Sequence, residues 1–405
     1  MLVSFKIIFA LSSLLVSCSG QNKNSTQFPG TENSAKRVGG ACEEGYCELM
    51  YLGMPEVIHS IDTSSGWFEK GQKLMVTGTV FQLDGKTPAP NVVIYYHQTD
   101  NDGYYSPRSD KPENQTRHGH IRGWVKTDAN GRYTIKTIRP APYPDRSEPA
   151  HIHWLIKEPD VKNEYWTDEL MFDDDELLIP HIKKHRPENR GGSGIVRVLI
   201  KDSLQIAEHD FILGLHIPNY PKKTTSPSIH SGLNIGEDQP SFTPHHAFGP
   251  DRGTQTCPVC KYGRYHGIVY FIGNHPDWVE IKKWLTFLER ESERRKKYLK
   301  VYFVYGNEKN YSKDERQQQL EELGNELHLK NTALTFVPSF ADKETEANLN
   351  KINPNVGNTF IIYKHRNIID KYIELRATLE NFSMISTVLD KTQGEYFDLP
   401  EPKHD

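Results

Sequence analysis

The triplet His151-Ile152-His153 places the tightest constraint on what this chain can build. It lies in residues 149–156, a run rich in apolar residues that reads as a β-strand. Successive side chains on a strand point to opposite faces, so the two imidazoles share one face and Ile152 takes the other. Such a pair is a set of metal ligands or one wall of a polar pocket. Eight residues upstream, Tyr143 sits in the stiff segment Arg139-Pro-Ala-Pro-Tyr-Pro144, and a Gly-x-Tyr turn runs from Gly103 to Tyr105. Phenolate is a hard, anionic ligand that favours Fe(III) over softer or divalent ions. Two tyrosines with a His-x-His therefore point to a ferric site.

The surrounding pattern is one of short strands and frequent turns. Residues 73–83 alternate apolar and polar, and Asp84-Gly85-Lys86 follows as a turn. Residues 92–98 form a second run, and 121–126 and 132–138 flank Asp128-Ala-Asn-Gly131, a hairpin signal. Further strands are expected at 150–156, 195–201 and 208–213. Together they predict an all-β antiparallel sandwich over 67–221.

Residues 222–230 are polar and rich in Pro, Ser and Thr, the composition of a linker. From 231 to 395 strands alternate with helices, which predicts an α/β layer structure and hence a multidomain chain. Strands are expected at 268–272, 301–305, 333–337, 359–363 and 368–372. A helix opening at Pro276-Asp277 carries Ile281, Trp284, Leu285 and Leu288 at helical spacing, and further helices are expected at 314–329 and 379–389. The run Arg294-Arg-Lys-Lys297 reads as a solvated helix end.

The first residues read as a targeting segment. Lys6 precedes an apolar run, residues 7–16, that is too short for a membrane span of about 20 residues. Leu15-Val16-Ser17-Cys18 resembles the bacterial lipobox, so residues 1–17 are expected to be a signal peptide and Cys18 the site of lipidation. Residues 18–66 are then a polar tether carrying the first cysteine pair. The expectation is an exported, lipid-anchored envelope protein whose anchor is its contact with the membrane. The net charge of −4 brings no basic stripe with interleaved aromatics, so nucleic acid is not expected as a partner.

Four of the five cysteines form two close pairs, Cys42/Cys47 and Cys257/Cys260. In an oxidising compartment both are expected as disulfides, the second either structural or redox-active. Half a zinc site is the rival for Cys257-Pro-Val-Cys260, but no second pair of ligands follows to complete it.

Taken in order, Gly78-Thr-Val80, Asp102-Gly-Tyr-Tyr-Ser106, Ile121-Arg-Gly123, Thr127-Asp-Ala-Asn-Gly-Arg-Tyr133, Thr137-Ile-Arg-Pro140, Tyr143-Pro144 and Pro149-Ala-His-Ile-His153 resemble the core of the intradiol ring-cleavage dioxygenases over about 67–215. The resemblance implies a β-sandwich holding non-haem Fe(III) on Tyr105, Tyr143, His151 and His153. It implies a catechol-type substrate, O2 as co-substrate, and Tyr143 as the catalytic ligand that leaves when a diol binds. Spacing alone does not select Tyr105, because Gly131-Arg-Tyr133 offers the same local pattern; Tyr133 is expected to pack across strands. The family usually has an arginine three residues before the first ligand histidine. Here that residue is Glu148, which reverses the sign of the local field. Arg146 and Arg139 are the candidates to replace it, and His118-Gly-His120 reads as a surface loop.

The segment 231–392 resembles the thioredoxin-like, redoxin-type proteins, with Gly236-Glu-Asp-Gln-Pro-Ser-Phe242 as its entry strand. Its Cys-x-x-Cys precedes the strand 268–272 instead of following it, and the turn 273–277 has no cysteine. Redox chemistry there is lost or relocated. Two alternatives to a dioxygenase follow: a catalytically altered metal-binding sandwich with a degenerate thioredoxin-like module, and an envelope thiol-disulfide oxidoreductase.

Overall fold

A computed structural model describes residues 37–42, 47–107, 117–221, 229–309, 311–394 and 396–402. The signal segment, Cys18, most of the tether and nearly all of the linker 222–230 lie outside the described residues. No helix among the described residues is long and apolar enough to cross a membrane.

The N-terminal strands are Ile61–Thr63 (β1), Lys73–Phe81 (β2), Val93–Gln98 (β3), Arg122–Lys126 (β4), Arg132–Ile138 (β5), His151–Lys157 (β6), Tyr165–Trp166 (β7), Leu170–Phe172 (β8), Ile195–Val196 (β9), Val198–Lys201 (β10), Leu204–Glu208 (β11) and Phe211–Ile212 (β12). They form two sheets, β1-β5-β2-β11-β10 with β12 beside β2, and β4-β3-β6-β8-β9 with β7 beside β6. The fold of this half is sheet-rich, built from these two packed sheets. Its core lies between the sheets, where Leu74, Val76, Ile94, Ile135, Ile152 and Ile156 are fully buried. Strands β2 and β5 alternate and turn most of their polar residues outward, whereas β3 and β6 are buried on both faces, with His97, Gln98 and His151 among the buried residues.

The sandwich is mixed, not purely antiparallel as expected. Strand β1 runs parallel to β5, β11 and β12 run parallel to β2, and β8 runs parallel to β9. Alternation encodes which face of a strand is buried and says nothing of its direction, which is why the parallel partners were invisible. The sheets also begin before residue 67, because β1 pairs with β5 through Ile61 and Thr134. A short helix, Leu178–Lys184 (α1), was not expected either.

The later strands are His245–Phe248 (β13), His266–Ile272 (β14), Leu299–Tyr305 (β15), Thr332–Phe336 (β16), Thr359–Lys364 (β17) and Asn367–Ile373 (β18). They build one mixed sheet in the order β13-β16-β15-β14-β17-β18. The accompanying helices are Pro258–Tyr262 (α2), Trp278–Arg295 (α3), Lys313–Glu326 (α4) and Leu379–Thr392 (α5). Asp277, Ser312 and Thr378 cap α3, α4 and α5 by accepting hydrogen bonds from first-turn amides that have no partner within the helix. The expected entry strand at 236–242 is absent, and the sheet edge is built by β13 instead. At the end of α3, Arg295 is not a solvated charge. It is buried, its guanidinium held by Glu291 at 3.1 Å and Asp390 at 2.5 Å. A charge run carries no information about a carboxylate arriving from a helix residue 95 positions later.

The two halves touch. Ser193 donates its amide to the Gly236 carbonyl (2.7 Å), and Lys364 pairs with Glu208 (2.9 Å). After α5 the chain returns to the sandwich, where the Ile200 amide donates to the Pro400 carbonyl and Glu401 pairs with Arg197, both at 2.7 Å.

Candidate metal centre

Strand β6 supplies two of the four candidate ligands. Its inward residues Ile152, Trp154 and Ile156 anchor it in the core, so His151 and His153 are held on the opposite face. Tyr105 and Tyr143 come from turns. The segment 100–106 is organised by the Asp100 carboxylate, which accepts hydrogen bonds from the Asp102 and Tyr104 amides and from Ser106. Burial works against that carboxylate, yet these hydrogen bonds outweigh it and hold its pKa below the ordinary value. Gly103 has φ +85°, and a Cβ there would lie 2.2 Å from the Pro142 carbonyl oxygen. A glycine is required for the Tyr105 turn to press against the proline-rich segment that carries Tyr143.

The structure brings all four side chains together. Tyr105 Oη is 2.9 Å from His153 Nε2 and 3.2 Å from Tyr143 Oη. Tyr143 Oη is 3.3 Å from His151 Nε2, and the two Nε2 atoms are 3.1 Å apart. The other ring nitrogens face outward. His151 Nδ1 lies 2.7 Å from the Pro149 carbonyl, which can only accept, so Nδ1 carries the proton and Nε2 of the neutral ring presents a lone pair. Glu169 stands 3.6 Å from His153 Nδ1 and favours the same tautomer there.

This donor set fits a metal ion. Two phenol protons cannot satisfy four edges of oxygen and nitrogen, and the Nε2–Nε2 edge brings two lone pairs face to face. A cation at the centre relieves that contact. Four atoms with edges near 3 Å leave their common centre about 2 Å from each, the length of a first-row metal bond to nitrogen or oxygen. Two phenolates bias the choice toward Fe(III).

The site opens into a cavity whose lining includes Tyr105, Tyr143, His153, His97, Trp166 and Arg117. His97 faces His153 across β3 and β6 and stacks on it, with centroids 4.5 Å apart. Its other face stacks on His118 at 3.7 Å. Burial first, then the neighbouring imidazoles, hold the His97 pKa well below the ordinary value, so its ring is neutral. Sequence reasoning missed both rings. The pairing of His97 with His153 is a matter of register that no local motif shows, and His118 belongs to a cavity wall, not to the surface loop expected for His118-Gly-His120. Tyr133 is buried between the sheets, away from this cavity, and donates to the His209 carbonyl.

The cavity wall is stapled near the N-terminus. Cys42 and Cys47 are joined by a disulfide, and Cys47 packs with Tyr95 and Leu155. Trp166 donates to the Ala41 carbonyl and carries the Arg190 guanidinium 3.3 Å above its ring. The second cysteine pair is not bonded. Cys257 caps α2 with its sulfur accepting from the Cys260 amide at 3.1 Å, and Cys260 donates to Ser241. The disulfide expected there is thus replaced by two thiols.

Residues 59–204 match the dioxygenase family model. The chain is 31% identical over 124 residues to catechol 1,2-dioxygenase from Acinetobacter baylyi, covering 27% of this chain and 39% of the relative. The chain thus spans about two fifths of that curated relative's length. Among solved structures it is similar to the dioxygenase domain of a carbohydrate-binding fusion from Streptomyces sp. SirexAA-E (24% identity, 38% of this chain, 87% of that chain, TM-score 0.29). It is also similar to 3-chlorocatechol 1,2-dioxygenase from Rhodococcus opacus 1CP (24% identity, 39% and 67% covered, TM-score 0.30). The matched segment contains the Tyr105, Tyr143, His151 and His153 positions.

Proposed function

We propose that this chain is a non-haem ferric intradiol dioxygenase that opens a catechol-type ring with O2 to a muconate-type product. The observation that carries the reading is the closed ring of two phenol oxygens and two imidazole nitrogens, spaced to surround one ion. The family match over the same residues supports it. The ion would be held by Tyr105, Tyr143, His151 and His153, and when bound it supplies the positive charge that keeps both phenols ionised and activates a diol toward oxygen. The protein's own groups set the geometry. Glu169 and the Pro149 carbonyl orient the imidazoles, and the buried neutral His97 walls the cavity without adding charge. On this reading Tyr143 is the group that would accept a proton from an incoming diol hydroxyl.

The strand order of the C-terminal sheet supports reading that half as a thioredoxin-like, redoxin-type module. Its Cys257 and Cys260 thiols come before β14, so no part in ring cleavage is assigned to them.

Iron analysis with a visible spectrum tests the proposal. Ferric phenolate absorbs strongly in the visible, so the purified protein should be reddish, and a catechol should shift the band and consume oxygen. Replacing both Tyr105 and Tyr143 with Phe should abolish the band. Unchanged iron occupancy and spectrum in that double variant would refute the reading.

A further inference from the structure

The face of β6 that carries the two histidines continues past them. Alternate residues on that face are His151, His153 and Leu155, and Leu155 lies about 7 Å beyond His153 at the rise of a strand. The neighbouring strands repeat the change. His97 of β3 is opposite His153, and Tyr95 is opposite Leu155. Trp124 of β4 lies beyond Tyr95, and Trp166 of β7 lies opposite Leu155 on the other side. The sheet therefore passes in one step from imidazoles to an apolar surface, and water must be kept from that surface.

Neither sheet supplies the cover. It comes from the segment before β1, in which Cys47–Tyr51 forms a 3-10 turn. Cys47 and Met50 are buried against Tyr95 and Leu155. The segment is tied to this floor at several points. Trp124 donates its indole N–H to the Met50 carbonyl (2.7 Å), and Trp166 donates to the Ala41 carbonyl (3.2 Å). Tyr51 donates to the Glu164 carboxylate (2.6 Å), and Arg122 donates to the Leu52 carbonyl (3.0 Å). The disulfide fastens Cys47 to Cys42. All of these covering residues precede residues 59–204, which carry the family match, so the cover is an addition to the matched unit. Cys47, Leu155 and Trp166 also line the cavity shared by Tyr105, Tyr143 and His153. That cavity holds about 80 Å³, well below the roughly 300 Å³ at which pockets for drug-sized ligands begin.

We propose that this disulfide-tied segment selects the substrate. Cys47, with Leu155 and Trp166 beneath it, closes one end of the cavity, which therefore takes a single-ring diol without a bulky ring substituent. This rests on the dioxygenase reading. A diol held at the His153 end has about 7 Å along the strand before it meets Leu155 and Cys47. A branched alkyl group on the ring would have to displace side chains packed on a cross-linked segment, which close packing opposes.

The test is anaerobic titration of the iron-loaded full chain with catechol and with 4-tert-butylcatechol, followed in the visible. Wild-type protein should bind catechol more tightly by at least about tenfold, because even one surplus methylene against a fixed apolar wall is rejected by about that factor or more. Cys42→Ser combined with Cys47→Ser unties the segment and should lower the preference about tenfold. Trp166→Phe removes the hydrogen bond to Ala41 and should lower it about threefold. A wild-type protein with no preference for catechol would overturn the inference and leave the dioxygenase reading intact. An unchanged preference in the double variant, with iron still bound, would do the same. Loss of iron from that variant would also overturn it, by showing that the segment supports the metal centre and not the pocket. If the double variant does not fold, the wild-type preference and Trp166→Phe decide. A wild-type protein that binds neither ferric ion nor either diol would overturn both readings.

Discussion

Replacing Gly103 with alanine tests how the two phenols are brought together. The residue adopts φ +85°, and its missing Cβ would stand 2.2 Å from the Pro142 carbonyl oxygen. Two penalties combine. A non-glycine residue in the left-handed region costs about 1–2 kcal/mol. The methyl must also gain about 1 Å of clearance to reach ordinary contact, which separates the Tyr105 turn from the Tyr143 segment or strains both, for a total of about 2–4 kcal/mol. In a unit of this size that lowers Tm by about 5–12 °C. The functional loss should be larger than the stability loss. Tyr105 Oη and Tyr143 Oη stand 3.2 Å apart, so a shift of about 1 Å opens one edge of the donor ring. Gly40→Ala is the control, because Gly40 has φ +75° with nothing within 4 Å of its Cβ position, and it pays the backbone penalty alone. Calorimetry of the iron-free proteins and iron titration followed in the visible separate the two effects. If Gly103→Ala matches Gly40→Ala in Tm and still takes up iron with an undiminished band, close approach of the two turns does not set the site, and the reasoning fails.

Glu169→Ala removes the carboxylate beside His153 Nδ1, and iron affinity should fall about 10–100-fold with little change in far-UV circular dichroism; competition against a chelator measures it, and unchanged affinity would exclude an orienting role. Burial lowers the His209 pKa to about 4, below its ordinary 6.5. The unfolded chain therefore takes up this proton first as pH falls, and stability present above pH 6.5 is lost between about 6.5 and 4, on the order of 3 kcal/mol. His209→Gln should flatten that part of the denaturant-midpoint profile, and an unchanged slope would show that other groups dominate acid unfolding.

What the sequence made legible was set by the range of the interactions. The face shared by His151 and His153 follows from a two-residue period, and the cap at Asp277 from its place before a helical apolar pattern. These are local, and residues a few positions apart determine them. Strand direction, the register that puts His97 against His153, and the Asp390 carboxylate that captures Arg295 depend on distant partners. The same limit governed the cavity. Arg117 and His118 carry no motif that marks them, because what makes them part of the site is the close pass of Gly119 along Tyr105. Arg139 and Arg146 were the natural candidates only because they are near Glu148 in sequence, and both are engaged by carboxylates from the 174–176 turn.

The division of labour among the four donors follows from where each is rooted. The imidazoles stand on β6, pinned by Ile152, Trp154 and Ile156 in the core and by hydrogen-bonded neighbours β3 and β8. Moving either imidazole means moving a strand inside a packed sandwich, which close packing opposes. The phenols stand on turns whose positions depend on a few contacts, chiefly Gly103 against Pro142 and the Asp100 cap. Rotating a turn-borne tyrosine out of the ring disturbs far less buried surface than displacing a strand-borne histidine. Of the two tyrosines, Tyr105 is further restrained, because Gly119 and His120 close over its backbone and the next residue. Tyr143 is flanked by prolines that limit the backbone but leave its side-chain torsions to be set by the rotamer wells. The four donors therefore divide into two imidazoles fixed by a packed strand and two phenols whose places are set by the few contacts of their turns.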